Sequence, residues 1–307
     1  MNIIVTGGAG FVGSHLVELL VKKKHYPIII DNLSSGLYSN IKYFIDSKKA
    51  KFIKCDIRNF KKILELPKAD AVIHLAAIAS VIESINNPIL VNDVNVNGTL
   101  NMLEFCRKKK IKKFVFTSSA AIYGDYEEKI TEKTPTIPTT VYGSTKLTGE
   151  QYCKIYSNLF GINITAMRPF NIYGPRQNDT YAGVITKFMD RLNQNKSPII
   201  FGNGKQTRDF IHVNDVARAF YAALKFKNNK FTVFNLATGT STSINELAKI
   251  FLLATKNSNL KPIYKKSIPG VVIYNSTNPK KIKNYLDFYS TIDLKNGIKN
   301  FVNYYNS

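Results

Sequence analysis

The chain has 307 residues, of which 44% are hydrophobic and 21% are charged, and its formal net charge is +22. This composition is typical of a globular protein with one large domain or two closely joined ones, and no apolar run reaches the roughly 20 residues that a membrane helix needs. Only seven of the 43 cationic residues are arginines, and the lysines are spread over the whole length. We therefore expect a biased coding composition and no nucleic-acid partner, although a positive field would help to attract an anionic substrate.

The cysteines and histidines do not have the spacing of a metal site. Cys55, Cys106 and Cys153 are scattered, and the four histidines form no HxxxH or HExxH pattern. We expect buried thiols and no metal. Residues 2–5 already have the pattern of a first strand, so we expect no signal peptide and a cytoplasmic location.

The first two-thirds of the chain alternate short apolar runs with amphipathic stretches. The apolar runs predict strands at residues 3–6, 27–31, 51–55, 71–75, 113–118 and 163–168. Helical patterns lie between them, among them residues 13–23, 91–108 and 142–160. This alternation predicts an α/β fold with a doubly wound parallel sheet. After Asn171 the pattern breaks into shorter elements, and we expect residues 208–213 and 232–236 to return to the sheet.

A glycine-rich loop follows the first predicted strand. Gly8, Gly10 and Gly13 have the GxGxxG spacing, and Gly7 adds a GxxGxxG pattern in the same loop. Glycines at a strand-to-helix turn let the backbone approach a phosphate, and the helix N-terminus adds unpaired amides and a positive dipole end. The loop therefore predicts a site for a dinucleotide pyrophosphate.

Two aspartates end the second and third predicted strands. Asp31 lies 18 residues after Gly13, where a carboxylate can accept hydrogen bonds from ribose hydroxyls and repel a 2′-phosphate, which favours NAD over NADP. The following run, 32–36, is turn-like, so Asp31 could instead cap a turn. Asp56, with Ile57 after it, could face the adenine or act as a simple cap.

A second constellation lies about 130 residues further on. Tyr142 and Lys146 are four residues apart in a predicted helix and so share one face. The lysine charge should favour the tyrosinate and lower the phenol pKa from about 10, so that Tyr142 can act as a general base. Ser119 follows a predicted strand and could hydrogen-bond the same substrate hydroxyl. Because a surface Tyr–Lys pair at this spacing is common by chance, the prediction depends on the upstream motifs.

Taken together, these motifs resemble those of the extended short-chain dehydrogenases/reductases, and within that group the UDP-glucose 4-epimerases. The resemblance covers nearly the whole length and is carried by residues 6–13, 31–36, 74–77, 95–99, 117–124, 142–146, 168–176 and 208–216. It implies a Rossmann-type sheet with a smaller, interleaved α/β substrate-binding subdomain. The NAD-binding domain would span 1–168, with 208–216 and 232–237 returning to it, and the nucleotide-sugar subdomain would span 169–307.

The resemblance also implies roles for individual residues. Ser119, Tyr142 and Lys146 would carry the catalysis. The NAD site would comprise Tyr142 and Lys146 together with Gly7, Gly10, Phe11, Val12, Gly13, Asp31, Asn32, Ser35, Gly36, Asp56, Ile57, Leu75, Ala76, Ala77, Asn95 and Phe170. The substrate would contact Ser119, Asn171, Arg208 and Asn275. Two of these have structural alternatives, since Asn171 could cap a turn and Arg208 could pair with Asp209 or Asp215, and His74 and His212 are expected to be core residues.

The implied reaction is the NAD-dependent 4-epimerisation of a UDP-hexose through a 4-keto sugar. The implied partners are this UDP-sugar and a second copy of the chain, held through helices near 91–108 and 142–160. Related dehydratases and decarboxylases need an acid just after the serine, where this chain has Ala120 and Ala121, and this favours epimerisation. Another nucleotide-sugar oxidoreductase or dehydratase, and a non-catalytic NAD-binding regulator, remain alternatives.

One stretch departs from the epimerase pattern. The Arg-x-Gly-Asp that often holds the UDP phosphates is replaced by Ile-Pro-Gly-Val at residues 268–271. The phosphate grip is then weaker or the substrate differs, and Arg176, Lys265 or Lys266 could compensate. Seven residues beyond Ile268, an aromatic residue in the resembled epimerases excludes N-acetyl sugars. Here that residue is Asn275, which predicts that UDP-N-acetylglucosamine is accepted alongside UDP-glucose, unless Asn275 is a solvated loop residue.

Overall fold

The computed structural model describes residues 1–126, 128–177, 183–227, 230–266 and 276–306. Its strands are β1 (Asn2–Thr6), β2 (Tyr26–Asp31), β3 (Lys51–Lys54), β4 (Ala71–His74), β5 (Lys113–Thr117), β6 (Asn163–Pro169), β7 (Asn171–Tyr173), β8 (Ile199–Phe201), β9 (Thr207–His212), β10 (Thr232–Leu236), β11 (Ser241–Ser243) and β12 (Ile263–Lys265).

Its α-helices are α1 (Phe11–Lys22), α2 (Lys42–Asp46), α3 (Phe60–Leu64), α4 (Val81–Asn86), α5 (Pro88–Asn92), α6 (Gly98–Lys108), α7 (Val141–Phe160), α8 (Val184–Asn193), α9 (Val213–Lys225), α10 (Ile244–Ala254), α11 (Lys280–Leu286) and α12 (Leu294–Tyr305). The expected helix at 91–108 is divided, because a π-helical turn, Asp93–Asn97, separates α5 from α6.

Seven parallel strands form the main sheet in the order β10-β6-β5-β4-β1-β2-β3. Both faces are covered, as strand β1 illustrates. Ile3 and Val5 belong to the core shared with α1 and α9, whereas Ile4 belongs to the core shared with α6 and α7. Successive side chains of a strand point to opposite faces, so a strand buried on both faces reads as a continuous apolar run. The expected doubly wound α/β fold is confirmed.

The later part of the chain builds a smaller unit. Strands β11, β9 and β7 form a three-stranded sheet, β12 pairs with β8, and helices α8, α10 and α12 share a separate core. The expectation that 232–236 returns to the main sheet is confirmed, because β10 pairs with β6. The same expectation for 208–213 is wrong, because β9 pairs with β7 and β11. The helix that follows it, α9, packs on the main sheet, and Ile211 of β9 belongs to the same core.

Three expectations from composition concern side chains and spans. All three cysteines are free and buried. Among the described residues, no three or more His, Cys, Asp or Glu side chains are grouped so that they could hold a metal ion. In the same ranges, no helix is both long and apolar enough to cross a bilayer.

Candidate active site

One cavity of about 810 Å³ lies where the main sheet meets the smaller unit. Its lining includes the residues that follow the carboxyl ends of β1, β2, β4, β5 and β6. The strand order reverses between β1 and β4, and open parallel sheets bind ligands in the crevice at such a switch point. The opposite wall is formed by β8, β9 and the start of α8.

The glycine loop forms one side of this cavity. Gly7 has φ +68°, and a Cβ there would lie 2.8 Å from the Ala76 amide nitrogen, so the loop and the segment after β4 approach too closely for a side chain. A Cβ on Gly13 would overlap the Gly7 carbonyl oxygen. Helix α1 begins after Gly10 with no side-chain cap and no acidic residue in its first turn. With Gly7, Gly10, Phe11, Val12 and Gly13 all lining the cavity, the loop fits a pyrophosphate.

Asp31 both caps a turn and lines the cavity. Its Oδ2 accepts from the Ala9 amide at 3.0 Å and its Oδ1 from the Leu33 amide at 2.9 Å. Burial raises the pKa of this carboxyl, while the two amides oppose the shift. Each oxygen retains a lone pair, so the carboxylate can still accept from ribose hydroxyls. Gly36 does not line the cavity, and its close approach to Asp31 leaves no room for a Cβ at ordinary distance.

A charged group that the sequence analysis missed lies beside Asp56. Arg58 Nη2 is 2.8 Å from Asp56 Oδ2, and Arg58 Nε donates to Oδ1 at 3.1 Å. Asn32 also donates to Asp56 Oδ2, at 3.0 Å. These bonds, led by those from Arg58, lower the pKa of Asp56 to about 2. Asn32, Asp56, Ile57 and Arg58 all line the cavity, as does Ser35. The Asp-x-Arg spacing was the signal available in the sequence.

Asn95 differs from its expected place. It is 1% exposed and does not line the cavity. Its Oδ1 accepts from the Ile78 amide at 2.8 Å, and its Nδ2 donates to the Ile78 carbonyl and to Thr145 Oγ1, both at 3.0 Å. Asn95 therefore holds the lining segment 75–79, which contains Leu75, Ala76 and Ala77, against the helix that carries Lys146.

His74 also helps to hold the segment 75–79, through Thr6. Thr99 Oγ1 donates to the Asn95 carbonyl at 2.6 Å, so its only proton is used and His74 Nε2 must donate to it. His74 Nδ1 then accepts from Thr6 Oγ1 at 2.7 Å, and Thr6 in turn accepts from the Ala76 amide. Complete burial lowers the pKa of His74 to about 3, so the ring is neutral. It is a core residue, as expected.

The cavity is lined by all three predicted catalytic side chains, Ser119, Tyr142 and Lys146. The Lys146 ammonium donates to the Thr117 carbonyl at 2.8 Å, and burial lowers its pKa to about 8. Ser119 Oγ accepts from the Ala121 amide at 3.1 Å, which leaves its proton available for donation. The arrangement therefore places a hydroxyl, a phenol and a cation around one space.

Arg208, on β9, lines the same cavity and keeps donors that bind no described residue. Nη1 donates to the Thr207 carbonyl at 2.7 Å, and in the described part of the chain Arg208 makes no ion pair. Asp209 accepts instead from Thr238 and Gly239, and Asp215 pairs with Arg218. The expected alternatives, pairing with Asp209 or Asp215, are therefore absent.

The remaining substrate residues divide into those described and those not. Asn171 lines the cavity and donates to the Asp209 carbonyl at 3.0 Å, and Phe170 lies beside it. Asn275 and the departing stretch 268–271 lie outside the described residues. Sequence reasoning missed one wall of the cavity, which is apolar except for a single side-chain amide. Its strands are too short to give a periodic signal. The wall comprises Val184, Ile199, Ile200, Phe201, Gln206 and Phe210.

With this geometry established, comparison with known proteins decides the family. Residues 3–237 match the family model described as NAD dependent epimerase/dehydratase family. The chain belongs to this family. It is an extended short-chain dehydrogenase/reductase of the UDP-glucose 4-epimerase type, and NAD is confirmed as its cofactor.

Relatives agree over the full length and differ in their sugars. A Methanocaldococcus jannaschii protein with a provisional assignment as a UDP-glucose 4-epimerase is 42% identical, over 98% of this chain and 97% of its own. The structure of Thermotoga maritima UDP-glucose 4-epimerase with UDP-glucose has a TM-score of 0.94 at 35% identity, covering 100% and 99% of the chains. The structure of a UDP-N-acetylglucosamine 4-epimerase from Methanobrevibacter ruminantium, in complex with UDP-N-acetylmuramic acid, has a TM-score of 0.93 at 33% identity. The match covers 99% of this chain and 98% of that one.

Proposed function

We propose that this protein inverts C4 of a UDP-hexose and interconverts UDP-glucose and UDP-galactose. The observation that carries the proposal is the convergence of Ser119, Tyr142 and Lys146 on the cavity that also contains the glycine loop and Arg208. A nucleotide site, a proton-transfer site and a cation for a second diphosphate then lie along one continuous space.

In this proposal the dinucleotide and the sugar nucleotide bind in the same cavity, and the sugar reacts between them. The glycine loop and Asp31 hold the dinucleotide, and the Arg208 guanidinium holds the diphosphate of the sugar nucleotide. Tyr142 takes the proton of the sugar 4-hydroxyl and later returns it, and Ser119 donates to the same oxygen. The Lys146 ammonium stabilises the phenolate. When bound, NAD supplies the oxidation and then the reduction of the sugar carbon.

Epimerisation is preferred to dehydration or decarboxylation because the two residues after Ser119 carry no acid or base. Ala120 and Ala121 open the 3₁₀ turn Ala120–Tyr123, and Ala120 is 5% exposed. Neither side chain can donate or accept a proton, and both eliminations need a further acid or base beside the sugar. The two alanines therefore support a reaction that needs only the Tyr142 system.

The decisive experiment mixes the purified protein with UDP-glucose and follows UDP-galactose by chromatography. We expect equilibration of the two sugars, with NAD rather than NADP released on denaturation. Tyr142→Phe should lower turnover by about 10²–10⁴-fold, because a positioned base is lost, while bound NAD is retained. Absence of any C4 inversion in the parent, or near-normal turnover in Tyr142→Phe, would refute the proposal.

We also propose UDP-N-acetylglucosamine as a second substrate, since position 275 carries a small amide side chain rather than an aromatic one. Asn275→Tyr should suppress kcat/KM for the acetylated sugar and spare UDP-glucose. Equal losses for both sugars, or an inactive parent with the acetylated sugar, would rule this out.

A further inference from the structure

A buried charged cluster joins the helix of Tyr142 to the strand beside it. Arg168 on β6 is 5% exposed and Glu150 on α7 is 3% exposed. Arg168 Nε donates to Glu150 Oε1 at 2.8 Å and Nη2 donates to Oε2 at 2.6 Å, a bidentate pair. Because Glu150 lies four and eight residues after Lys146 and Tyr142, the three side chains share one face of α7.

The same guanidinium also holds the turn that begins at Ser119. Its Nη1 donates to the Tyr123 hydroxyl at 2.7 Å, and that hydroxyl donates to Asn235 Oδ1 at 2.6 Å. Tyr123 is fully buried and ends the 3₁₀ turn whose N-cap is Ser119. One arginine side chain therefore binds α7 through two hydrogen bonds and the Ser119 turn through a third.

Stability alone does not account for this arrangement. A buried ion pair is costly to desolvate, and apolar residues of similar volume often stabilise a core as well or better. The donors of a planar guanidinium have fixed directions, so they fix the relative orientation of the groups that they bind more closely than apolar packing does. Such direction matters here, because Ser119 and Tyr142 must reach one substrate hydroxyl, and a misplacement of about 1 Å can cost ~10²-fold in rate.

We propose that Arg168 and Tyr123 are positioning residues that set the placement of Ser119 relative to Tyr142 and Lys146. The inference rests on the proposed epimerase function. Neither Arg168 nor Tyr123 lines the cavity, so both act through the Ser119 turn and α7.

Tyr123→Phe removes one hydroxyl and keeps the buried ring, and the chain offers a matched control. Tyr156 lies on α7 and donates its hydroxyl to Glu104 Oε1 of α6 at 2.6 Å. Glu104 is itself held by Arg107 through two bonds of 2.8 Å. Tyr156→Phe therefore deletes a tyrosine hydroxyl beside an Arg–Glu pair, as Tyr123→Phe does, but this pair lies on α6 and in the described part of the chain makes no bond to the Ser119 turn.

The kinetic test uses the NAD-loaded enzyme and UDP-glucose. Tyr123→Phe should lower kcat by about tenfold or more with KM unchanged, while Tyr156→Phe leaves both unchanged. In a Ser119→Ala background, Tyr123→Phe should cost no further rate, because the group that it positions is gone. Additive losses in the double variant, or equal effects of the two phenylalanine substitutions, would overturn the inference.

Amide hydrogen exchange separates this inference from the proposed function. If the parent inverts no UDP-hexose, the epimerase proposal fails, but the cluster is still tested. Arg168→Lys and Tyr123→Phe should speed exchange in both 119–123 and 142–150 of the NAD-loaded protein and leave β1 unchanged, whereas Tyr156→Phe should leave 119–123 unchanged. Faster exchange in only one of those segments, or in neither, would overturn the inference.

Discussion

The buried ammonium of Lys146 is needed for the proposed chemistry and costs stability. Burial lowers its pKa from 10.5 to about 8, so below pH 8 the folded protein must hold a charge that the unfolded chain holds in water. Between about pH 8 and 10.5 the unfolded state binds more protons, and the stability of the parent should rise with pH. The residue therefore favours activity below pH 8 and stability above it.

Lys146→Met should raise the free energy of unfolding of the cofactor-free protein at pH 7. The lost desolvation penalty is at most about 3 kcal/mol for a shift of this size, and loss of the bond to the Thr117 carbonyl reduces the gain. The advantage should shrink as pH rises through 8 to 10, while turnover is lost at every pH. Denaturant unfolding at pH 7 and pH 9.5 checks this. A Met variant less stable than the parent at pH 7 would contradict it.

Single residues also show where sequence reasoning stops. For Asp31 the sequence left two alternatives, a ribose acceptor and a turn cap, and the structure shows the cap while keeping the carboxylate on the cavity. For Asn95 the motif gave the correct neighbourhood but not the contact. Its side chain bonds Ile78 and Thr145, residues 17 and 50 positions away, and no local pattern specifies such partners.

At the scale of elements, the start of α7 sets the position of Tyr142. Thr140 is the N-cap and its side chain accepts from the Gly143 amide at 3.0 Å, while Ser84 of α4 accepts from the Tyr142 amide at 3.2 Å. Two of the unpaired first-turn amides are thereby satisfied by side chains. The phenol proposed as the base therefore lies at a helix end that is fixed by its own N-cap residue and by α4.

Thr140→Ala should lower the free energy of unfolding by about 1 kcal/mol, the usual cost of a lost N-cap. It should also lower kcat, with a smaller change in KM. Thr140→Ser retains the accepting hydroxyl and serves as the control. Thermal unfolding and turnover of the three proteins compare them. A serine variant that loses as much as the alanine variant would show that the hydroxyl is not what matters.

Periodicity predicted the elements of the main sheet well and failed at two kinds of feature. The helix expected at 91–108 contains the π-helical turn Asp93–Asn97, which an apolar pattern with a 3.6-residue period does not reveal. The strand expected at 208–213 exists, but which sheet it joins depends on non-local pairing with β7 and β11. Local sequence therefore predicted the strand and not its neighbours.

At the scale of the whole molecule, the exposed apolar residues suggest how two copies would associate. Residues Ile155 and Leu159 of α7 are 47% and 70% exposed and lie four residues apart on one face. Ile82 and Ile85 of α4, which packs beside α7, are each 66% exposed. The expected partner helix near 91–108 contributes less, because no large hydrophobic residue of α6 is exposed. Exposed apolar side chains on two neighbouring helices are typical of an interaction site.

We therefore expect a homodimer in which α7 and α4 of each copy form the contact. A lysine at position 159 would place a charge in that apolar contact, so Leu159→Lys should convert the dimer to a monomer at working concentration, as measured by light scattering. Leu253 on α10 is 67% exposed, nearly the same as Leu159, but it lies outside this surface. Leu253→Lys adds the same charge and should leave the dimer intact. A monomeric parent would contradict the proposed dimer. Dissociation by both substitutions would contradict the proposed contact surface, since added charge would then act without regard to position.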